Sequence, residues 1–471
     1  MSARYRSLFL ALGACIGSGP ALALQPPAYY GVDFVATAAG GVAMNDAGDA
    51  VGSAYQDTGC GSTCLPPLET VVWRNGVRTV LPGLPGYTPI SVTGINNNGW
   101  ISGFVGYDYS NARAVAWEPV ADGYQIHDLG VAPGTTMSFA YDIDDANRAV
   151  GFATTVFFPP TSEPILWTPG NGLVGLTDLG ASAEEPLAMS RNGTVVTAST
   201  WYSLDAPQAW QSIAPSPAGY LAPGNFPAAV NDQGDQLRFL QTATSDSLFY
   251  LYRYRKEGQW QQVWPAGSGF LTSFGAGSIN GEGDFTATVG GAGIVGFGPD
   301  GMGQGLSGML SPAYLGAGVT AAGTLNASGQ ILADVTMGQS SRLVRLTPIT
   351  PCTANCVRVS TLQLKGKFIS DPAFPGSCTQ AASNRVQATV TVKNELGAPL
   401  RGVTVSGRFL DDYWTDKRVT ARTSSSGVAK FSYTGPACVG AVAFLVDDAT
   451  SPGLTFDKSS GQLLKHVIPL P

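Results

Sequence analysis

The side chains best suited to chemistry in this chain lie in short polar clusters, not in a catalytic motif. The first cluster is AMNDAGDAVG at residues 43–52, where Asn45, Asp46 and Asp49 supply oxygens around a glycine. A calcium loop sets such ligands at every second position so that they converge on one ion. That alternation is missing here, and the same residues suit a tight hairpin turn. The pairs Cys60/Cys64 and Cys352/Cys356 have no histidine nearby, since His127 and His466 are the only two, so zinc is not expected. No G-x-S-x-G, H-E-x-x-H, phosphate-loop or dinucleotide fingerprint occurs in a suitable context. The glycine-rich run 291–305 has no helix pattern behind it and reads as a loop. His127 beside Asp128 reads as a residue on a solvated strand. An enzymatic reading needs two carboxylates at a channel mouth, as in glycoside hydrolysis, and spacing along the chain does not supply that pair. No catalytic residue, metal or cofactor is therefore assigned.

A second group suits binding. Tyr55 with Asp57, Tyr107 and Tyr109 with Asp108, Phe157 and Phe158, and Trp201 and Tyr202 with Asp205 set aromatic faces beside carboxylates. Such faces fit sugar rings or protein partners. They fall in long, varied segments between regular stretches, where function tends to sit on a rigid scaffold.

The scaffold is a repeat. AMNDAGDAV at 43 returns as GINNNGWIS, DIDDANRAV, AMSRNGTVV, AVNDQGDQL, SINGEGDFT and TLNASGQIL. Its anchors are Asn45, Asn96, Asp144, Ser190, Asn231, Asn280 and Asn326, all able to hydrogen-bond their own turn. Three residues on stands Gly48, Gly99, Asn147, Gly193, Gly234, Gly283 or Gly329, types that tolerate positive φ. An apolar run then ends at Trp73, Trp117, Trp167, Trp210 or Tyr254, and Phe297 and Leu346 stand in further on. A last piece ends near Leu-Gly. Four short strands per unit is the pattern of a propeller blade; a solenoid is the alternative. Seven anchors give seven blades, or six with an irregular insertion. The strand Tyr30–Thr37 would complete the last unit and close the ring. The short turns and the long loops are then expected on opposite faces.

The I-N-x-x-G-x-V-x-G turn, the A-x-x-W strand and the D-L-G strand resemble the HAF repeats of bacterial extracellular proteins, over roughly residues 28–350. The resemblance implies export and a propeller-like fold, and it implies no reaction.

Residues 351–471 alternate apolar and polar with period two, with turn clusters at 395–398 and 424–427. The order V-x-N-x-x-G-x-P-x-x-G-V-x-V resembles the immunoglobulin-like modules appended to bacterial secreted proteins. The fold class is thus all-β: a seven-bladed or six-bladed β-propeller (residues 24–350) followed by an immunoglobulin-like β-sandwich (351–471).

The first 23 residues carry two arginines, an apolar run and a small-residue end, the pattern of a secretory signal. The LGAC stretch ending at Cys15 offers a lipoprotein alternative. No other run is long enough to span a membrane. Six further cysteines allow fifteen pairings, and locality favours Cys60–Cys64, Cys352–Cys356 and Cys378–Cys438. The formal charge of −7 becomes −9 without Arg4 and Arg6. No basic stripe stands out, so nucleic acid is not an expected partner. The expected function is an exported, non-enzymatic binding or scaffold protein that meets a glycan or protein; the alternative is a polysaccharide hydrolase or lyase with acids at the channel.

Overall fold

The computed structural model describes residues 26–37, 39–56, 67–106, 111–155, 162–180, 183–205, 210–222, 228–244, 248–265, 274–338, 340–370, 372–373, 382–412, 415–436 and 440–469. Asp57, Tyr107, Asp108, Tyr109, Phe157, Phe158, and the cysteines 60, 64, 378 and 438 lie outside these residues. Among the described residues the chain is all-β, with only short 3₁₀ turns besides strands.

Among the described residues there are nine four-stranded sheets; the first seven follow one another along the chain, and the strands of the last two interleave. The first seven are antiparallel, and in each the leading strand runs into one of the seven anchors. Their leading strands are Ala39–Met44, Thr88–Ile95, Met137–Ile143, Ala188–Met189, Ala228–Val230, Phe274–Ile279 and Gly318–Leu325. Each leading strand neighbours the next, and the seventh neighbours the first, so they form a closed cycle. Tyr29–Thr37 pairs antiparallel with Ser340–Ile349 and becomes the fourth strand of the seventh sheet. This is the pairing expected for Tyr30–Thr37.

The turns explain why the sequence repeats. In each one the anchor side chain accepts the amide four residues on: Asn45 from Asp49 (2.9 Å), Asn96 from Trp100 (2.8 Å), Asp144 from Arg148 (2.7 Å), Ser190 from Thr194 (3.1 Å), Asn231 from Asp235 (2.8 Å), Asn280 from Asp284 (2.8 Å) and Asn326 from Gln330 (2.9 Å). The residue at the third step adopts positive φ in all seven, and Asn147 (φ 62°) is the single non-glycine. An asparagine also has an amide to donate. Asn45 Nδ2 donates to Asn96 O (3.2 Å), Asn96 Nδ2 to Asp144 O (2.7 Å), Asn231 Nδ2 to Asn280 O (2.9 Å) and Asn326 Nδ2 to Asn45 O (3.4 Å). Main-chain amides or other side chains bridge the remaining junctions, as in Asp145 N to Arg191 O (2.8 Å), Asn192 N to Asp232 Oδ1 (3.0 Å) and Leu325 N to Ser278 Oγ (2.7 Å). All seven junctions are hydrogen-bonded.

A second glycine in the motif has its own cause. The leading strand carries a bulge at Ala140/Asp142, and a Cβ at Gly151 on the next strand would collide with the Phe139 carbonyl oxygen. Only a residue without Cβ lets the bulged strand approach. Gly52 and Gly103 meet the carbonyls of Gly40 and Ser91 in the same way.

Third-strand aromatics fill the gaps between sheets. Trp117 is fully buried and donates through Nε1 to Pro82 O (2.8 Å). The fourth sheet departs from the expected pattern. Its third strand is Thr200–Ser203, and Trp210 precedes the fourth strand Gln211–Ser212. Trp210 was expected to end the third strand, and that strand is instead Thr200–Ser203.

The last two sheets order as Val428–Pro436, Ser383–Lys393, Cys356–Ile369, Thr455–Phe456 and as Asp416–Arg422, Thr404–Asp411, Val442–Thr450, Leu464–Val467. Alternate residues of both face a shared core that includes Val386, Ala388, Phe409 and Phe444. The same core continues into the seventh sheet through Tyr30, Val32, Leu310 and Tyr314. Lys458 Nζ lies 2.8 Å from Asp33, Leu463 N donates to Ala313 O (2.8 Å), and the Arg408 guanidinium stacks 4.1 Å from the Phe34 ring centre. A disulfide joins Cys352 and Cys356 at this junction, as expected.

Replacing Asn96 by Ala removes two donated bonds and one accepted bond at a site 1% exposed. Leaving buried partners unpaired costs about 1–3 kcal/mol per group. Urea unfolding of Asn96→Ala is expected to show a loss of about 3 kcal/mol, against less than about 0.5 kcal/mol for Asn98→Ala, whose amide bonds lie at the exposed turn surface.

Candidate functional site

The leading strands end together at the centre of the cycle. There they enclose an open cavity of about 680 Å³. Its wall takes residues from all seven leading strands or turns, among them Asp46, Asp142, Arg191, Asp232, Gln233 and Glu282. The leading strands are the edges of their sheets and line this space, and several of their outward amides are taken up by side chains of the neighbouring leading strand. Gly94 and Gly277 let adjacent leading strands approach, since a Cβ there would collide with Asp142 Oδ1 and with Gly323 O.

The acids in the wall are mostly bound to main-chain amides. Asp142 follows the bulge of the third sheet, which turns its carboxylate toward the fourth. Its oxygens accept Ile143 N (2.9 Å) and Met189 N (3.0 Å), the latter from the next leading strand. Burial pushes the Asp142 carboxyl up to about 6, against those two amides and the Arg191 charge, which pull it down. Asp46 accepts Ala327 N (2.8 Å) and the Asn97 side-chain amide (2.9 Å). Asp232 accepts Asn192 N. Ser278 and Thr324 occupy the position equivalent to Asp142 and accept Leu325 N (2.7 Å) and Met44 N (3.2 Å) in the same way. These side chains satisfy the edge of the neighbouring sheet.

Arg191 differs. It belongs to the fourth turn, yet its guanidinium lies 3.6 Å from Asp46 of the first turn and 4.0 Å from Asp145 of the third. It therefore reaches across the opening, and its buried Nη1 makes no hydrogen bond. Glu282 of the sixth turn adds a carboxylate to the wall.

The expected loop-side residues fare unequally. Tyr55 ends the strand Ala50–Tyr55 and is half-buried. Trp201 and Tyr202 lie inside the third strand of the fourth sheet, which corrects their placement in a connecting loop. Tyr202 is buried, 7% exposed, and stacks on Trp210 at 4.9 Å. Trp201 is partly covered, with the Lys256 ammonium 5.4 Å from its ring centre. Asp205 pairs with Arg148 at 2.6 Å, and Arg148 also binds Asp144 of the third turn. Asp205 thus sits on the turn side, because the third strand ends there. Trp201, Tyr202 and Asp205 do not converge. His127 bonds Glu118 (2.8 Å) and stacks on Trp100 at 5.3 Å. Among the described residues no group of three or more His, Cys, Asp or Glu is placed to hold a metal ion.

No protein-family model matches the chain, and no curated protein matches it. Solved structures align over most of its length at low similarity. A triple-arginine mutant of AofleA from Arthrobotrys oligospora is 10% identical, covering 86% of this chain and 91% of its own, with a TM-score of 0.26. The exo-beta-1,3-galactanase of Phanerochaete chrysosporium with beta-1,3-galactotriose is 9% identical, covering 94% and 100%, with a TM-score of 0.25. Likenesses at this level carry no weight for fold or function. Among the described residues no helix is long and apolar enough to cross a membrane.

Asp142 supplies a pH test. Its folded value lies above the ordinary 3.8, so the folded state holds the proton more tightly. Its contribution opposes folding at pH 7 and is relieved as pH falls toward 4. The stability lost in Asp142→Asn should therefore be larger at pH 4 than at pH 7, by on the order of 2 kcal/mol in urea titrations at both pH values.

Proposed function

We propose that the chain is an exported bacterial binding protein. In this reading the seven sheets are the blades of a β-propeller of HAF-like repeats and the last two sheets form an immunoglobulin-like module. The ligand is a glycan segment or a polar protein loop that enters the central cavity from the turn side. The observation that carries the reading is the cavity itself. Seven sheet edges and their polar turns, with Arg191, Gln233 and Glu282 among them, line a space within the usual range of ligand sites, roughly 300–1,000 Å³. Hydroxyl and amide groups of a ligand are the natural complement of such edges.

Binding without turnover is favoured over hydrolysis by the state of the acids. Asp46, Asp142 and Asp232 are bound to main-chain amides of neighbouring turns or strands, so they hold the ring together. Glycoside cleavage needs two carboxyl groups free to exchange protons or attack a sugar carbon.

The test is a glycan array probed with the full chain, followed by analysis of any bound oligosaccharide for cleavage. Arg191→Ala should weaken binding about tenfold or more, the loss typical of one charged contact in a polar site. Trp201→Ala should leave it unchanged. Loss with Trp201→Ala alone would move the site to the loop side. Shortened or unsaturated products would replace the binding reading with the hydrolase or lyase one.

A further inference from the structure

The chain's net negative charge is unevenly divided. Residues 24–350 hold 11 basic and 25 acidic side chains, a balance of −14. Residues 351–471 hold 13 basic and 8 acidic, a balance of +5. The expectation that no basic stripe exists came from the total, and it is corrected by where the strands place these cations.

In the sheet Val428–Pro436, Ser383–Lys393, Cys356–Ile369 the inward residues are apolar and the outward ones are exposed. The register lines up the outward face in rows. Lys367 stands opposite Arg385, which stands opposite Thr434. Lys365 stands opposite Gln387, which stands opposite Ser432, and Gln363 opposite Thr389, which stands opposite Lys430. Adjacent rows are ~7 Å apart along a strand and neighbouring strands ~5 Å apart. Four cations therefore share one flat face with glutamines, serine and threonines, and these three rows hold no acid. Among the described residues none of Lys365, Lys367, Arg385 and Lys430 has an ion-pair partner.

Like charges directly opposite each other destabilise a strand pair. Lys367 opposite Arg385, with Lys365 one row away, is a cost that folding does not require. By contrast Arg408 is paired with Asp416 and Asp447, and Arg358 with Asp457.

We infer that this face binds an acidic polysaccharide, a chain bearing carboxylate or sulfate groups. The cations meet the charges, and Gln363, Gln387, Thr389, Ser432 and Thr434 meet the hydroxyls. The face carries no aromatic side chain in these rows, so it lacks the stacking platform by which single-stranded nucleic acid is held. The negative ring repels the same polymer and directs it to the sandwich. This site is separate from the central cavity and does not rest on the reading given to it.

Binding of the full chain to polygalacturonate and to dextran sulfate tests the inference, with neutral dextran as the control. A twenty-nucleotide thymidine strand and vesicles containing phosphatidylserine complete the set. The parent should bind one or both acidic polysaccharides and not neutral dextran, and added salt should weaken binding. The variant Lys365→Gln/Lys367→Gln/Arg385→Gln/Lys430→Gln should bind about tenfold or more weakly at low salt, with a shallower salt dependence. Arg401→Gln/Lys465→Gln removes two exposed cations elsewhere in the same region and should bind like the parent. Whether carboxylate or sulfate is preferred is read from the two polysaccharide arms. No binding by the parent, an unchanged quadruple variant, or an equal loss in the control variant would overturn the inference. So would tighter binding to the thymidine strand or the vesicles, which would assign the face to a different polyanion.

Discussion

The ring depends on one side-chain contact made seven times. An oxygen at the anchor position accepts the amide four residues on and fixes a turn whose third step has positive φ. Where the anchor is asparagine its other end is free to bond outward, and in four cases it takes the main-chain carbonyl of the next turn. A single side chain thus sets local geometry and the spacing between sheets together. The same turn recurs at Asn394, whose oxygen accepts Ala398 N (2.8 Å), in a part of the chain outside the seven-sheet ring. The turn is a general hairpin device, and the ring use is an addition made possible by the amide.

Much of this was legible because it is local. The anchor types and the glycine three residues on name a turn without reference to the rest of the molecule. The closing strand was legible too, since one unit lacked a strand and the chain began with a spare one. The third strand of the fourth sheet was not. Thr200–Ser203 is four residues long and its two aromatics are flanked by polar groups, while the run at Trp210 imitated the pattern of the other units. Tertiary pairing, not periodicity, selected between them. The cavity was invisible for a different reason. It is made of strand ends from seven units, and Arg191 acquires its place only because turns one, three and four face the same opening. The basic face escaped notice because net charge averages over domains of opposite sign.

The junction between the ring and the last two sheets is unusually continuous. Apolar residues on both sides belong to one core, and Asp33 is held by Lys458 with support from Thr347 and Arg345. Burial raises the Asp33 carboxyl, but these partners outweigh it and bring it below its ordinary range. The two parts meet as packed layers, with the disulfide-closed segment between them bound by Glu395, which accepts Asn355 N (3.2 Å) and Cys356 N (3.0 Å).

The closing pair also imposes an order in time. Asp33 and Thr347, hydrogen-bonded to each other, are 314 residues apart. A chain made at ~5–20 residues per second leaves the first strand without its partner for on the order of half a minute. Until Ser340–Ile349 is made, YYGVDFVAT lacks the strand it pairs with in the ring. The ring therefore matures last where it began first, and its opening segment has to be kept from pairing elsewhere until the seventh sheet arrives.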